Sequence, residues 1–282
     1  MRRHAGAALP LASLVGACVF LWPFFGIGLP AASATVAFGV GTVAALAAVE
    51  LAAGRLDTRQ LALLASLAAV DAAARAVVVT GIGGFSPIFL LILCGGYIFG
   101  AEYGFLLGAT TILVSALVTG GLGPWLPYQL FGAGWVGAIA GLAGRGRTGR
   151  PTRRDVVVLA VVGLVTGYGF GAAMDVWNWT FYQSAPGLGF HAGMTVTQAL
   201  SHFARFYAVT SAAYDSFRAV GNATMVAVLG APVLVALARL RARLHVSIDD
   251  AADGPGPHGR LEPGTFGPGT FEPEPLGPGL HH

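Results

Sequence analysis

From Ser86 to Leu142 the chain runs 57 residues with a single charged side chain, Glu102. A soluble domain carries about 25% charged residues, so a segment like this has nothing to present to water. A membrane-spanning helix needs about 20 apolar residues, and the stretch has room for two or three. Its interruptions are specific. GAEYG at 100–104 reads as a turn inside a helical hairpin. TGGLGPWLPYQ at 119–129 reads as a loop between two helices, stiffened by Pro124 and Pro127.

The rest of the chain follows the same pattern. Only 10% of its 282 residues are charged and 55% are hydrophobic, with a mean hydropathy of +0.70. These values predict an all-α integral membrane protein. Apolar runs predict helices near 9–27, 32–52 and 59–80, a hairpin over 86–120, and helices near 129–143, 155–176 and 217–238. No A-x-A cleavage site with a hydrophilic start follows the first run, so it is read as a retained helix. Arg2 and Arg3, Arg55 and Arg59, Arg145 to Arg154, and Arg239 to Arg243 punctuate the runs. The positive-inside rule places such clusters in the cytoplasm. Eight spans then put both termini inside, and segments 28–31, 81–85, 120–128 and 177–216 outside. The hairpin turn fits least well, since it carries Glu102 and no Arg.

Composition changes at Val246. DDAADGPGPHGR and the near-repeats PGTFGPGTFEP cannot bury enough apolar surface to offset chain entropy, so 246–282 reads as a disordered cytoplasmic tail. The expected organisation is therefore two N-terminal transmembrane helices over 1–54, a six-helix membrane core over 55–245, and the tail.

Small residues recur at helical spacing. Gly96, Gly100, Gly104 and Gly108 are four apart, as are Gly163, Gly167 and Gly171; Gly134, Gly137 and Gly141 mark the sixth helix. Residues four apart share a face, and glycine lets backbones approach closely. Ala65, Ala69 and Ala73 form a similar stripe on the third helix, read either as internal packing or as a contact with a partner membrane protein.

Several chemistries are excluded or weak. All 16 basic residues are Arg, so no G-x-x-x-x-G-K-[ST] loop exists and the chain carries no ATPase site of that kind. No Cys, His, Asp or Glu set has metal-ligand spacing, so no metal is expected. His191 and His202 read as polar surface residues. Cys18 and Cys94 lie in apolar runs and read as small buried hydrophobes. Ser66, Ser86 and Ser115 lack a neighbouring His, and no G-x-S-x-G occurs.

Polar and aromatic residues instead concentrate in three outer segments. These are TGGLGPWLPYQ with Trp125, Tyr128 and Gln129; DVWNWTFYQ with Asp175, Trp177, Asn178 and Trp179; and the start of the last helix with Asp215, Arg218 and Asn222. An interfacial Trp/Tyr belt accounts for part of this. It does not account for the charges and amides, because ionisable groups in apolar helices pair or line a polar cavity. Aromatic walls with a few convergent polar groups describe a small-molecule pocket. Asp71 and Arg75, four apart, read as an intrahelical ion pair or as residues at the pocket mouth. The amphipathic stretch 190–213 reads as an interfacial helix able to cap the site.

The stretch from Ser86 to Leu142, then DVWNW, then DSFRAVGNA, resembles the substrate-binding S-component of an energy-coupling factor transporter. GGLGPWLPYQ is the most specific part, and the likeness covers about residues 59–240. The resemblance implies a six-helix S-component-like bundle, here preceded by two extra transmembrane helices, in a bacterial plasma membrane. It implies no catalysis, and so no catalytic residues or catalytic cofactor. It implies capture of a vitamin-like ligand outside the cell by Trp125, Tyr128, Gln129, Asp175, Trp177, Asn178, Trp179, Arg218 and Asn222. Partners would be a T-component, met through Ala65, Ala69 and Ala73, and two ABC-type ATPases. The nearest subgroup takes cobalamin or a related corrinoid; riboflavin, thiamine, a queuosine-type base or a benzimidazole precursor would also stack on Trp. Two other classes stay open: a membrane-embedded enzyme acting on a lipid or prenyl group, and a non-transporting scaffold or small channel.

Overall fold

A computed structural model describes residues 8–27, 32–52, 56–77, 87–147, 149–184 and 186–252. Among these residues every regular element is helical. They are α1 (Ala8–Leu21), a 3-10 turn (Trp22–Phe25), α2 (Ala32–Ala52), α3 (Thr58–Val77), α4 (Ile88–Phe99), α5 (Ala101–Thr119), α6 (Leu126–Ala143), α7 (Arg153–Trp179), α8 (Val196–Thr210) and α9 (Ala212–Ala252). Residues 1–244 form one compact unit and 245–282 a second. α1 and α2 thus belong to the same unit as the six helices expected to form the core.

Among the described residues, four helical stretches are long and apolar enough to cross a membrane: Ala34–Leu51, Ala101–Thr119, Arg153–Trp179 and Ala212–Leu244. Hydropathy predicts eight. The difference is clearest in the hairpin 86–120, which breaks at Gly100 alone rather than over 100–104. Gly100 has φ +106°, open to glycine but not to side chains with a Cβ. The break leaves α4 with 12 residues, about 18 Å at 1.5 Å per residue, short of a bilayer core.

The centre is the junction of α4, α5 and α6. A Cβ on Gly96 would strike the Gly137 carbonyl, and one on Gly137 would strike Gly104. One on Gly104 would lie 2.7 Å from Gly96 Cα, and one on Gly108 would meet Ala133. Three backbones therefore touch without side chains between them. Such close backbone approach, which only small residues allow, maximises van der Waals contact between the helices. Around it, Leu93, Phe105, Leu107, Ile112, Leu130 and Phe131 are buried.

The N-terminal helices dock on α6 by the same device. A Cβ on Gly16 would overlap the Phe131 ring, and one on Gly39 would lie 2.6 Å from Pro127 Cβ. Trp135 Nε1 donates to Ser13 Oγ at 3.2 Å. α3 lies along α5 with Leu64, Ala68, Asp71 and Ala72 buried. Ala65, Ala69 and Ala73 are on its opposite, exposed face. The Asp71 Oδ2 has no hydrogen-bond partner, so the expected Asp71–Arg75 pair is not what satisfies it.

Other boundaries shift for local reasons. The first helix ends at Leu21, because Pro23 opens a 3-10 turn that Gly26 closes at φ +67°. α6 starts at Leu126, not 129, with Pro127 in its first turn, where a missing N–H costs nothing. α7 runs on to Trp179. α9 continues to Ala252, so 246–252 of the expected tail is helical; 253–282 lies outside the described residues, as do Arg2, Arg3, Arg55 and segments 28–31 and 81–85. Cys18 is exposed rather than buried, while Cys94 is buried.

The two ends of the bundle differ in chemistry. At one end, Arg147 pairs with Asp155, Tyr97 donates to Asp155 Oδ1 at 2.7 Å, and Arg241 Nη1 donates to the Ile98 carbonyl at 2.6 Å. Asp155 also closes a capping box with Thr152 at the start of α7. The α4–α5 turn with Glu102 therefore sits among the arginines.

Candidate functional site

The opposite end gathers the aromatic residues. The 3-10 turn after α1 inserts Trp22, whose Nε1 donates to Tyr128 Oη at 2.8 Å. Tyr128, fully buried on α6, also meets Phe20 edge-on at 4.9 Å and Trp177 of α7 at 5.3 Å. Phe24 stacks on Trp179 at 5.7 Å and meets Phe203 of α8 at 5.4 Å. Phe190 bridges Trp22 and Trp179, at 5.8 and 5.3 Å. Edge-to-face rings of this kind contribute about 0.5–1.5 kcal/mol each beyond their burial.

α8 forms the cover. Thr195 and Gln198 close a capping box at its start, and its apolar face buries Ala199 and Phe206. The preceding loop is pinned at several points, among them a 2.8 Å hydrogen bond from Phe190 N–H to the Tyr182 carbonyl. Trp179 Nε1 donates to the Leu188 carbonyl at 2.7 Å. His202 Nδ1 lies 2.9 Å from the Gly189 carbonyl. Gly193 N–H donates to the Gly26 carbonyl at 3.0 Å, tying the loop to the 3-10 turn.

Beneath this lid, between α7 and α9, lies a buried polar set. Asp175, Asp215, Arg218 and Asn222 are all under a tenth exposed. Arg218 Nη1 donates to Asp215 Oδ1, and its guanidinium lies 5.6 Å from the Phe170 ring centre and 5.1 Å from that of Tyr214. Asn178 Nδ2 donates to Asp175 Oδ1 at 3.4 Å. Ser211 neighbours Asp175 and Tyr207 neighbours Asp215. Burial, with the Asp215 and Asp175 carboxylates beside it, pushes the Tyr207 hydroxyl up to about 12. It is therefore a neutral donor at physiological pH.

Glycine makes the room. A Cβ on Gly171 would overlap the Asp215 carboxylate, one on Gly167 would lie 2.6 Å from Ala219 Cα, and one on Gly163 would meet Asn222. The stripe on α7 thus admits α9 with its polar side chains. Even so, Asp175 Oδ2, Asp215 Oδ2 and both side-chain polar atoms of Asn222 have no hydrogen-bond partner. Each such buried group costs about 1–3 kcal/mol.

The nine residues expected to bind ligand divide four ways. Asp175, Arg218 and Asn222 belong to the buried α7–α9 polar set, whereas Tyr128 and Trp177 meet each other in the aromatic cluster between α6 and α7. Trp179 is fully buried under the lid and holds α8 rather than offering a free face. Trp125, Gln129 and Asn178 are peripheral. The Trp125 ring folds over Gly123 and its Nε1 donates to the Gly121 carbonyl at 3.2 Å; Gln129 is half-buried and Asn178 exposed. Trp22 and Phe24 are not among the residues expected at the site, whereas Phe190 and Phe203 lie in the stretch 190–213 expected to cap it. The WPFF cluster that follows the first apolar run marks Trp22 and Phe24 in the sequence, where an interfacial belt explains it equally well.

Among the described residues no group of three His, Cys, Asp or Glu side chains could hold a metal ion. No protein family, curated protein or solved structure matches the chain.

Proposed function

We propose that this chain is the membrane-embedded substrate-capture subunit of an energy-coupling-factor-type importer. It binds a vitamin or related micronutrient at the aromatic end of the bundle, outside a bacterial plasma membrane. It then delivers the ligand with a T-component and two ATPases, while both termini stay in the cytoplasm. The observation that carries the reading is the buried set Asp175, Asp215, Arg218 and Asn222 with four unpartnered polar atoms. The rings of Phe170, Tyr207 and Tyr214 stand beside it. Polar groups of that cost inside apolar helices mark a ligand path or site, and aromatic walls suit a flat heterocycle. The exposed face of Ala65, Ala69 and Ala73 supports a second membrane protein docking on α3. The corrinoid subgroup is the first substrate to try.

Uptake of labelled vitamins, one at a time, into cells expressing the chain with and without T-component and ATPases tests the reading. One vitamin should accumulate only with all subunits, and Asn222→Ala should abolish its uptake. Ala69→Trp should stop accumulation while leaving binding to the purified chain intact. Accumulation without the ATPases, or turnover of a lipid by the purified chain, would overturn the importer.

A further inference from the structure

The Arg end of the bundle holds a cavity of about 660 Å³. It lies between the start of α1, the α4–α5 turn, the end of α6 and Arg241 of α9. Arg145, Arg147 and Arg241 line it against one carboxylate, Glu102. Asp155 pairs with Arg147 from behind, and the balance stays positive.

Two of the three guanidiniums are held in place. Arg147 Nη2 donates to the Arg150 carbonyl at 2.7 Å, and its guanidinium lies 5.9 Å from the Tyr97 ring centre. Arg241 is held through Nη1 by the Ile98 carbonyl. Each keeps N–H groups beyond those bonds, because a guanidinium has five. Arg145 stands exposed at the rim. Planar forks of this kind match the oxygens of a phosphate.

The opposite wall is apolar, with Pro10 of α1 and Leu142 of α6. Exposed hydrophobic side chains lead away from it toward the middle of the bundle. Leu142 and Ile139 follow one another on α6, 56% and 46% exposed; Leu11 and Leu14 do so on α1, 60% and 65% exposed. A free anion has no use for such tracks, whereas acyl chains do.

We propose that this cavity binds the phosphate headgroup of an anionic phospholipid, with its acyl chains lying along α1 and α6. Basic pockets between transmembrane helices take anionic headgroups in this way. The proposal rests on the chain being a membrane protein and not on its being an importer, so failed vitamin uptake leaves it standing.

Native mass spectrometry of the full chain in detergent with added phosphatidylglycerol or phosphatidylcholine tests it. The chain should retain one phosphatidylglycerol in preference to phosphatidylcholine. Each Arg near a headgroup contributes about fivefold, about 1 kcal/mol at 1.4 kcal/mol per decade. Arg145→Gln with Arg241→Gln should thus weaken phosphatidylglycerol retention about 25-fold and leave phosphatidylcholine unchanged. The rim variant Arg145→Gln alone, which removes no side-chain hydrogen bond or ion pair among the described residues, should weaken it about fivefold should the double variant fail to fold. Equal retention of the two lipids, or undiminished phosphatidylglycerol on Arg145→Gln, would overturn the proposal. So would displacement of the lipid by millimolar inorganic phosphate, which would identify a free-anion site.

Discussion

The α4–α5–α6 junction and the α7–α9 contact both rest on glycine, and they use it for opposite ends. In the first, Gly96, Gly104 and Gly137 bring backbone onto backbone, and the atoms they admit are other main-chain atoms. In the second, Gly171 admits a carboxylate, and the space closes over polar atoms that lack partners. The first arrangement is a scaffold with one tight solution. The second holds unfavourable polar groups in place. A single residue type thus serves backbone contact at the centre and polar burial at one end.

This contrast can be broken at several points. The largest effect is expected at the scaffold. Gly137→Val drives two methyls and a Cβ into the Gly104 backbone, at a cost of about 3 kcal/mol. It should abolish monodisperse protein by size-exclusion chromatography in detergent. Next comes Arg218→Ala. Removing one partner of a buried ion pair costs about 3 kcal/mol or more, here with Asp215 left behind. Thermal unfolding should fall well below wild type, and the double variant Arg218→Ala/Asp215→Ala should recover part of the loss. If the double is as unstable as the single, the loss does not come from the Asp215 carboxylate left unpaired within α9. Trp22→Phe removes the donor to Tyr128 and should cost about 1 kcal/mol, read as a small shift in unfolding temperature and faster hydrogen exchange in α8. The smallest effect is predicted at Gly41 on α2, where an added Cβ meets nothing within 4 Å. Gly41→Ala should leave stability unchanged or raise it slightly. A large loss there would mean that glycine is needed for backbone reasons and that the contrast is misdrawn.

Much of the scaffold was legible in the sequence, because apolar length and small-residue spacing are local rules. Apolar length located α2 at its bounds, and four-residue glycine spacing marked the faces that now touch. The site was legible only in outline. TGGLGPWLPYQ announced a turn through its glycines and prolines, but Pro127 belongs to the first turn of α6, so Tyr128 points into the bundle rather than lining a loop. Trp22 and Tyr128 are 106 residues apart, and no periodicity reports a hydrogen bond across that distance. Trp179 and Asn178 are adjacent in the sequence, yet one is fully buried and the other exposed. That division follows from where α8 folds back, which is set by ring packing among Phe24, Phe190 and Phe203. The Arg end was readable as charge, while the cavity between its arginines depends on the short α4 and was not.

The most direct measurement is the identity and amount of small molecule that stays with the purified chain, read by mass spectrometry and absorbance. The wild-type chain should retain close to one equivalent of a flat heterocyclic micronutrient. Asp175→Asn, which keeps the size of the side chain, should lose most of it while remaining folded. The account is contradicted if the same molecule stays with both proteins equally, or if neither binds any micronutrient offered to it.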